Sequence, residues 1–140
     1  MKRLNDFFQL ENILLLRRVS SDLISAVPEE FYTFNKNLFG INLEDHVSKY
    51  FVCGLLNSSF MNFYYKNKFS MKKQEVFPEI QKYLFESLPI KIVESSKQKE
   101  IIEIVKALQS FGELNRLVLD KMVYTLYDLT DEEILIVEST

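Results

Sequence analysis

LLNSSFMNFYYKNKFSMKKQEVFP, Leu55 to Pro78, is the stretch on which the reading of this chain turns. It leaves an apolar helix end at Leu55-Leu56, turns through Asn57-Ser58-Ser59, and becomes aromatic and then basic. Serine favours helix N-caps because its short side-chain oxygen accepts from backbone N–H groups that the first turn leaves unpaired. The pattern predicts two helices meeting at a corner, with Ser58 or Ser59 capping the second. Phe60, Met61, Phe63 and Tyr64 are the apolar members of that helix. Lys66 and Lys68 fall near its C-terminal end, where cations suit the helix dipole. Ser70–Gln74 reads as a polar, basic loop, stopped at Phe77-Pro78 because a residue before proline is pushed towards extended conformations. Between His46 and Gln74 there is no acidic residue, whereas Lys49, Lys66, Lys68, Lys72 and Lys73 are all cationic. A negatively charged partner would be drawn to this stretch.

Composition sets the frame around it. At 140 residues and 47% hydrophobic, the chain has room for one domain, or one domain with an appendage, and for a sizeable core. Net charge is −3, but residues 1–99 hold 14 Lys/Arg against 11 Asp/Glu and residues 100–140 hold 3 against 9. An acidic total argues against a polyanionic partner only if the charge is evenly spread, and here it is not. The longest apolar runs, such as Ile13–Leu16, are far too short to span a bilayer. MKRLNDFFQLEN has no apolar core of the kind a signal peptide needs, so the expectation is a cytoplasmic protein with no membrane partner. Cys53, the only cysteine, lies in apolar YFVCGLL and reads as a buried thiol. With His46 as the only histidine, no zinc-type cluster can form.

Upstream of the corner the period is that of strands. ILLLRRV (Ile13–Val19), LISAV (Leu23–Val27), FYTF (Phe31–Phe34) and LFGINL (Leu38–Leu43) are short, apolar and separated by polar turns, which describes an antiparallel meander. Arg17 and Arg18, being adjacent, would point to opposite faces of the first strand. His46–Leu56 then carries helical spacing, with Asp45-His46 at its start. Downstream, Glu79–Ser87 has helical spacing and Leu88–Val93 is extended, with Pro89 unable to donate to a ladder. A capping box is expected at Ser95/Gln98, opening a long amphipathic helix from Ser96 to Leu126 that Gly112 weakens. Thr130/Glu133 gives a second capping box, for a terminal helix over Asp131–Glu138. The fold class expected is α+β, a small antiparallel sheet flanked by helices and followed by a C-terminal helical segment.

The chemistry on offer is that of binding. Gly40, Gly54 and Gly112 are isolated, so there is no phosphate-cradling loop, and no Gly-x-Ser-x-Gly elbow is present. Asp131-Glu132-Glu133 is a stabilising first helical turn. Asp22, Glu29, Glu30 and Lys36 have no spacing specific to a metal-dependent nuclease. Lysine and arginine, by contrast, neutralise phosphates, asparagine and serine can read base edges, and aromatics can stack on bases. Asn57, Ser58, Ser59, Tyr64, Tyr65 and the lysines that follow offer all of these together.

The same stretches carry a family likeness. ILLLRR, the Leu55-Leu56-Asn57-Ser58 turn before an aromatic helix, Phe77-Pro78-Glu79-Ile80 with Leu88-Pro89-Ile90, KQKEIIEIVKAL, and Asp120–Glu138 (DKMVYTLYDLTDEEILIVE) stand in the order of the TaqI-like C-terminal specificity domain, which the chain resembles from about Ile13 to Glu138. That domain is the target-recognition part of restriction–modification adenine methyltransferases and fused restriction–methylation enzymes. The resemblance implies a non-catalytic module that grips double-stranded DNA beside an adenine methyltransferase catalytic domain, in cis or in trans. S-adenosylmethionine would belong to that absent domain, and no cofactor is expected in this chain. Residues 1–94 would form the recognition core and residues 95–140 a helical segment packed on it. The DNA-binding candidates are Lys66, Asn67, Lys68, Lys72 and Lys73, with Arg17, Arg18 and Lys36 as second choices. They rest on charge alone, since the family's recognition loops vary with the target. Leu55–Tyr65 is expected to be structural and Asn67–Gln74 to do the recognising. The alternative is a protein-interaction module working through the long helix Ser96–Leu126.

Overall fold

In the computed structural model, the described residues are 12–17, 22–28, 38–44, 46–68, 86–91, 93–108 and 113–139. Expectations for the lead-in before residue 12, the Phe31–Phe34 strand, the Asn35–Asn37 turn, the Ser70–Gln74 loop and most of the Glu79–Ser87 helix lie outside them. Among the described residues the chain forms strands β1 (Ile13–Arg17), β2 (Ser25–Ala26) and β3 (Leu38–Asn42). Helices follow: α1 (Lys49–Asn57), α2 (Ser59–Lys68), α3 (Ser95–Ala107), α4 (Glu113–Leu126) and α5 (Asp131–Glu138). This is the α+β architecture expected, an antiparallel sheet with helices and a helical C-terminal part.

The strand order is β2-β1-β3, not the sequential order of a meander. β1 pairs with β2 through Leu15↔Ala26 and Leu16↔Ser25, and on its other edge with β3 from Ile13↔Asn42 to Arg17↔Leu38. The most apolar strand takes the centre because only there are both edges paired and both faces covered. Ile13, Leu14, Leu15 and Leu16 are all buried, and Leu14 and Leu16 join the main core. A run of consecutive apolar residues, rather than an alternating one, suits such a position.

Helix α1 packs on β1 and β2 and carries α3 on its far side. Its buried residues run from Phe51 to Asn57 without interruption, so it is a core helix rather than a surface one. Gly54 sets the approach of α3: a Cβ there would meet the Cγ2 atoms of Ile101 and Val105 at 2.9 Å. Helix α2 packs on α1, α4 and α5. Cys53 is buried, and burial pushes its thiol up to about 11, so it stays an uncharged hydrophobe as expected.

Several helix boundaries depart from the sequence reading. α1 starts at Lys49, capped by Ser48, whose Oγ accepts from the Phe51 N–H at 3.4 Å, so Asp45-His46 lies before the helix. α3 starts at Ser95 behind Glu94, and its cap has no side-chain hydrogen bond. Gln98 instead donates from Nε2 to the Val93 carbonyl at 2.6 Å, so the Ser95/Gln98 capping box does not form. The long helix expected over Ser96–Leu126, with Gly112 as its weak point and candidate break, is two helices, Ser95–Ala107 and Glu113–Leu126. Part of their apolar stripe is spent inside the molecule, with Ile101, Val105, Leu119 and Val123 in the core, while Leu117 and Val118 stay exposed. The Thr130/Glu133 capping box forms in both directions, at 3.0 and 3.2 Å. Before it, Asp128 takes φ 53 while Asp128 N–H donates to Thr125 O and Leu129 N–H to Tyr124 O. This is a Schellman ending with aspartate in the place usually held by glycine.

Candidate nucleic-acid interface

The geometry of α2 is set from its N-terminal end. Ser58 serves two helices at once: its Oγ donates to the Leu55 carbonyl at 2.6 Å, closing α1, and accepts from the Met61 N–H at 3.2 Å, opening α2. Asp120, reaching from α4, accepts from the Ser59 N–H at 2.7 Å and the Ser59 hydroxyl at 2.6 Å. A carboxylate at the positive end of a helix is well placed electrostatically. Burial holds the Asp120 carboxyl above the ordinary aspartate value, the Ser59 bonds and Arg116 pull it down, and Glu138 pushes it up.

Two asparagines then lock the strand side of the sheet to this corner. Asn57 is 1% exposed. Its Oδ1 accepts from the Ser25 N–H at 3.1 Å, and its Nδ2 donates to the Ser25 carbonyl at 2.9 Å and the Cys53 carbonyl at 2.8 Å. Asn62 accepts from the Leu23 N–H and donates to the carbonyls of Leu56 and Ser58. Both side chains stand in for a strand edge, supplying partners that the two-residue β2 would otherwise lack.

The burial here agrees with a structural Leu55–Tyr65. Asn57 and Ser58 are buried and Tyr65 is fully buried, so none of them can meet a base. Phe63 and Tyr64 are half-buried. What α2 presents to solvent is its last turn, Lys66, Asn67 and Lys68. Lys66 Nζ pairs with Asp22, the Asn67 amide donates to the Phe63 carbonyl at 2.8 Å, and Lys68 Nζ donates to the Tyr64 hydroxyl at 2.8 Å, 5.1 Å from the ring centroid. These are exposed contacts of the kind that a phosphate can compete for, each worth about 0.2–1 kcal/mol.

Arg17 is exposed at the end of β1. Its backbone N–H donates to Ile24 O at 2.9 Å, next to the Leu23 that Asn62 holds. The Lys66–Asp22 pair thus lies on the β1–β2 side of the sheet, to which the Arg17 backbone is also bonded through Ile24. Arg18, Lys36, Lys72 and Lys73 lie outside the described residues. So do Glu29 and Glu30, and among the described residues no group of three His, Cys, Asp or Glu could hold a metal.

The acidic C-terminal helices contribute residues that spacing alone did not single out for function. Besides Asp120, Tyr127 donates its hydroxyl to the Pro89 carbonyl at 2.6 Å, accepts from the Lys91 N–H at 3.1 Å and packs on Phe60 with ring centroids 4.7 Å apart. Asp120 and Tyr127 both belong to the Asp120–Glu138 piece. They bond to the corner after Leu55-Leu56-Asn57-Ser58 and to the Leu88-Pro89-Ile90 loop, which explains why those sequence pieces occur together.

A family model described as the TaqI-like C-terminal specificity domain matches residues 1–90. That span holds β1, the α1–α2 corner, the basic segment and the Leu88-Pro89-Ile90 loop, while KQKEIIEIVKAL and Asp120–Glu138 lie beyond it. No curated protein and no solved structure matches the chain.

Proposed function

The chain belongs to the TaqI-like C-terminal specificity domain family, and on that premise we propose that it is the DNA target-recognition module of a restriction–modification system. It binds double-stranded DNA and positions a separate adenine methyltransferase domain, which would carry the S-adenosylmethionine. The carrying observation is that the family match covers the α1–α2 corner together with the cationic segment that follows it. In this reading residues 1–94 form the recognition core, residues 95–140 pack on it, and the module works in the cytoplasm without catalysing a reaction. Among the described residues no helix is long and apolar enough to cross a membrane.

The DNA face is Lys66, Asn67 and Lys68 with Arg17, continued by Lys72, Lys73, Arg18 and Lys36. Physical support comes from the last turn of α2, where cations stand exposed at the end of a helix whose other end is fixed by Asp120 and Asn57. The test is duplex binding as a function of salt. Each phosphate neutralised contributes a log–log slope of about −0.9, so the reading expects affinity that falls steeply with salt. A slope near zero, or no binding to any duplex at low salt, would remove the reading.

A further inference from the structure

Between α2, α4 and α5 lies a cleft of about 610 Å³. Lys66 and Asn67, from the exposed last turn of α2, line it, so part of its wall belongs to the face proposed for DNA. Arg116, the fourth residue of α4, lines it too and is half-buried. Its Nε is buried and, among the described residues, without a hydrogen-bond partner. The fold does not explain this cation. A positive charge in the first turn of a helix faces the positive end of the dipole, and the Asp120 carboxylate, near enough to feel Arg116, spends its hydrogen bonds on Ser59. The carboxylates of the cleft are already engaged. Asp22 pairs with Lys66, Asp120 accepts twice from Ser59, and Glu138 accepts from the Tyr124 hydroxyl at 3.4 Å. What the cleft has to spare is a set of donors on one planar guanidinium. A polar group left unmet in this way calls for a partner.

The chemistry of the missing partner follows from those donors. With Nε buried, a ligand meets the terminal Nη pair, and two N–H groups side by side suit two acceptors side by side. A phosphate offers such a pair, and so does the O6/N7 edge of guanine. Charge separates the two. The cleft is lined by three carboxylates and two cations, so a further full negative charge is opposed there, whereas the neutral guanine edge is not. Phosphates fall to Lys66 and Lys68 at the exposed end of α2. We propose that Arg116 is a specificity-determining residue that reads a guanine of the target duplex in the major groove, its Nη pair donating to O6 and N7. The inference rests on the DNA reading and deepens it, adding a base contact to a face otherwise made of phosphate contacts. Burial of Nε restrains the guanidinium before DNA arrives, which lowers the ordering cost of the contact.

The full chain, Arg116→Lys and Arg116→Met are each used to select duplexes from a pool with a randomised central segment, with thermal unfolding followed in parallel. Wild type should retain sequences with a fixed G·C pair at one position. Arg116→Lys keeps the charge and loses the fork. Its preference at that position should fall by about tenfold or more, with the other positions and the salt slope unchanged. Replacing that guanine by 7-deazaguanine, which lacks the N7 acceptor, should weaken wild type by about fivefold or more and leave Arg116→Met unmoved. The 7-deazaguanine comparison on wild type needs no variant, so it stands even where a substitution unfolds the chain. No fixed guanine in the wild-type selection, the same guanine preference in the variants, or 7-deazaguanine without effect on wild type would each overturn the proposal. So would an equal loss of affinity across all sequences, which is the mark of a phosphate contact or a structural role. A wild type that selects sequence while the variants select the same one removes this inference alone. A wild type that retains no duplex at low salt removes the DNA reading and this inference with it.

Discussion

The two ends of helix α2 are built on opposite principles. At its start, Asn57, Ser58, Ser59 and Asn62 are buried or half-buried, and every one of them bonds to backbone or to the Asp120 carboxylate. At its end, Lys66, Asn67 and Lys68 are exposed, and their contacts are of the kind water and salt readily replace. The polar residues that look most like a recognition signature in sequence are thus the ones that hold the fold. In the proposed reading, recognition falls to the exposed end rather than to the buried one. A buried amide is costly to leave unpaired and so fixes one arrangement, whereas an exposed cation can be exchanged with little effect on folding.

Substitutions can break this contrast, beginning with the largest effect. Asn57→Ala removes partners from Ser25 N–H, Ser25 O and Cys53 O, all buried, and opens a small cavity. A loss of about 3 kcal/mol or more is expected, since each orphaned buried group costs about 1–3 kcal/mol. Denaturant unfolding with an unchanged m-value would measure it. A loss below half that figure would mean the corner is not the structural half.

Asp120→Ala leaves Ser59 N–H and hydroxyl unpaired at the start of α2, at about 1–3 kcal/mol. The pH dependence has a definite sign. The Asp120 carboxyl titrates above its ordinary value in the folded state, chiefly through burial, so the folded protein holds this proton more readily than the unfolded chain. This group therefore adds stability as pH falls from its folded value towards its unfolded one. Glu133, held below its ordinary value by the Thr130 backbone and hydroxyl, does the reverse and loses stability as pH falls. Asp120→Ala should remove the first contribution, so the gap between wild type and variant widens on mild acidification. A gap independent of pH would contradict the assignment.

Tyr127→Phe tests the tie between α4 and the Leu88-Pro89-Ile90 loop. It loses the bonds to Pro89 O and Lys91 N while keeping the stack on Phe60, and about 1 kcal/mol is expected for each bond. The smallest stability effect belongs to the other end of α2. Lys66→Gln with Lys68→Gln should stay within about 0.5 kcal/mol of wild type by thermal unfolding.

Much of the fold was legible because it rests on local pattern. β1 and β3 read as apolar runs, the α1–α2 corner as Asn-Ser-Ser after Leu-Leu, and α5 as a capping box, and all of these stand in the structure. What was not legible depends on contacts far apart in sequence. The central place of β1 follows from its pairing on both edges. The start of α3 is displaced because Gln98 is used by Val93 rather than by Ser95. Asp120 as a cap for α2 lies 61 residues from Ser59, which no local signal can announce. For the candidate site, the sequence separates a structural Leu55–Tyr65 from a basic segment after it; the burial of Asn57 and Tyr65 agrees with the first part, and Lys66, Asn67 and Lys68 are exposed. The ion pair of Lys66 with Asp22, which brings the β1–β2 end into the site, is likewise a long-range fact.

The most direct test combines both ends in one measurement. Wild type and a variant with Lys66, Lys68, Lys72 and Lys73 changed to Gln are compared for duplex affinity across salt, with thermal unfolding followed in parallel. The account predicts an unchanged melting temperature and a log–log salt slope shallower by up to about 3.6, about 0.9 for each lysine that neutralises a phosphate. An unchanged slope in a folded variant would show that these lysines are not the DNA face, and the division of α2 into a structural and a binding end would fail.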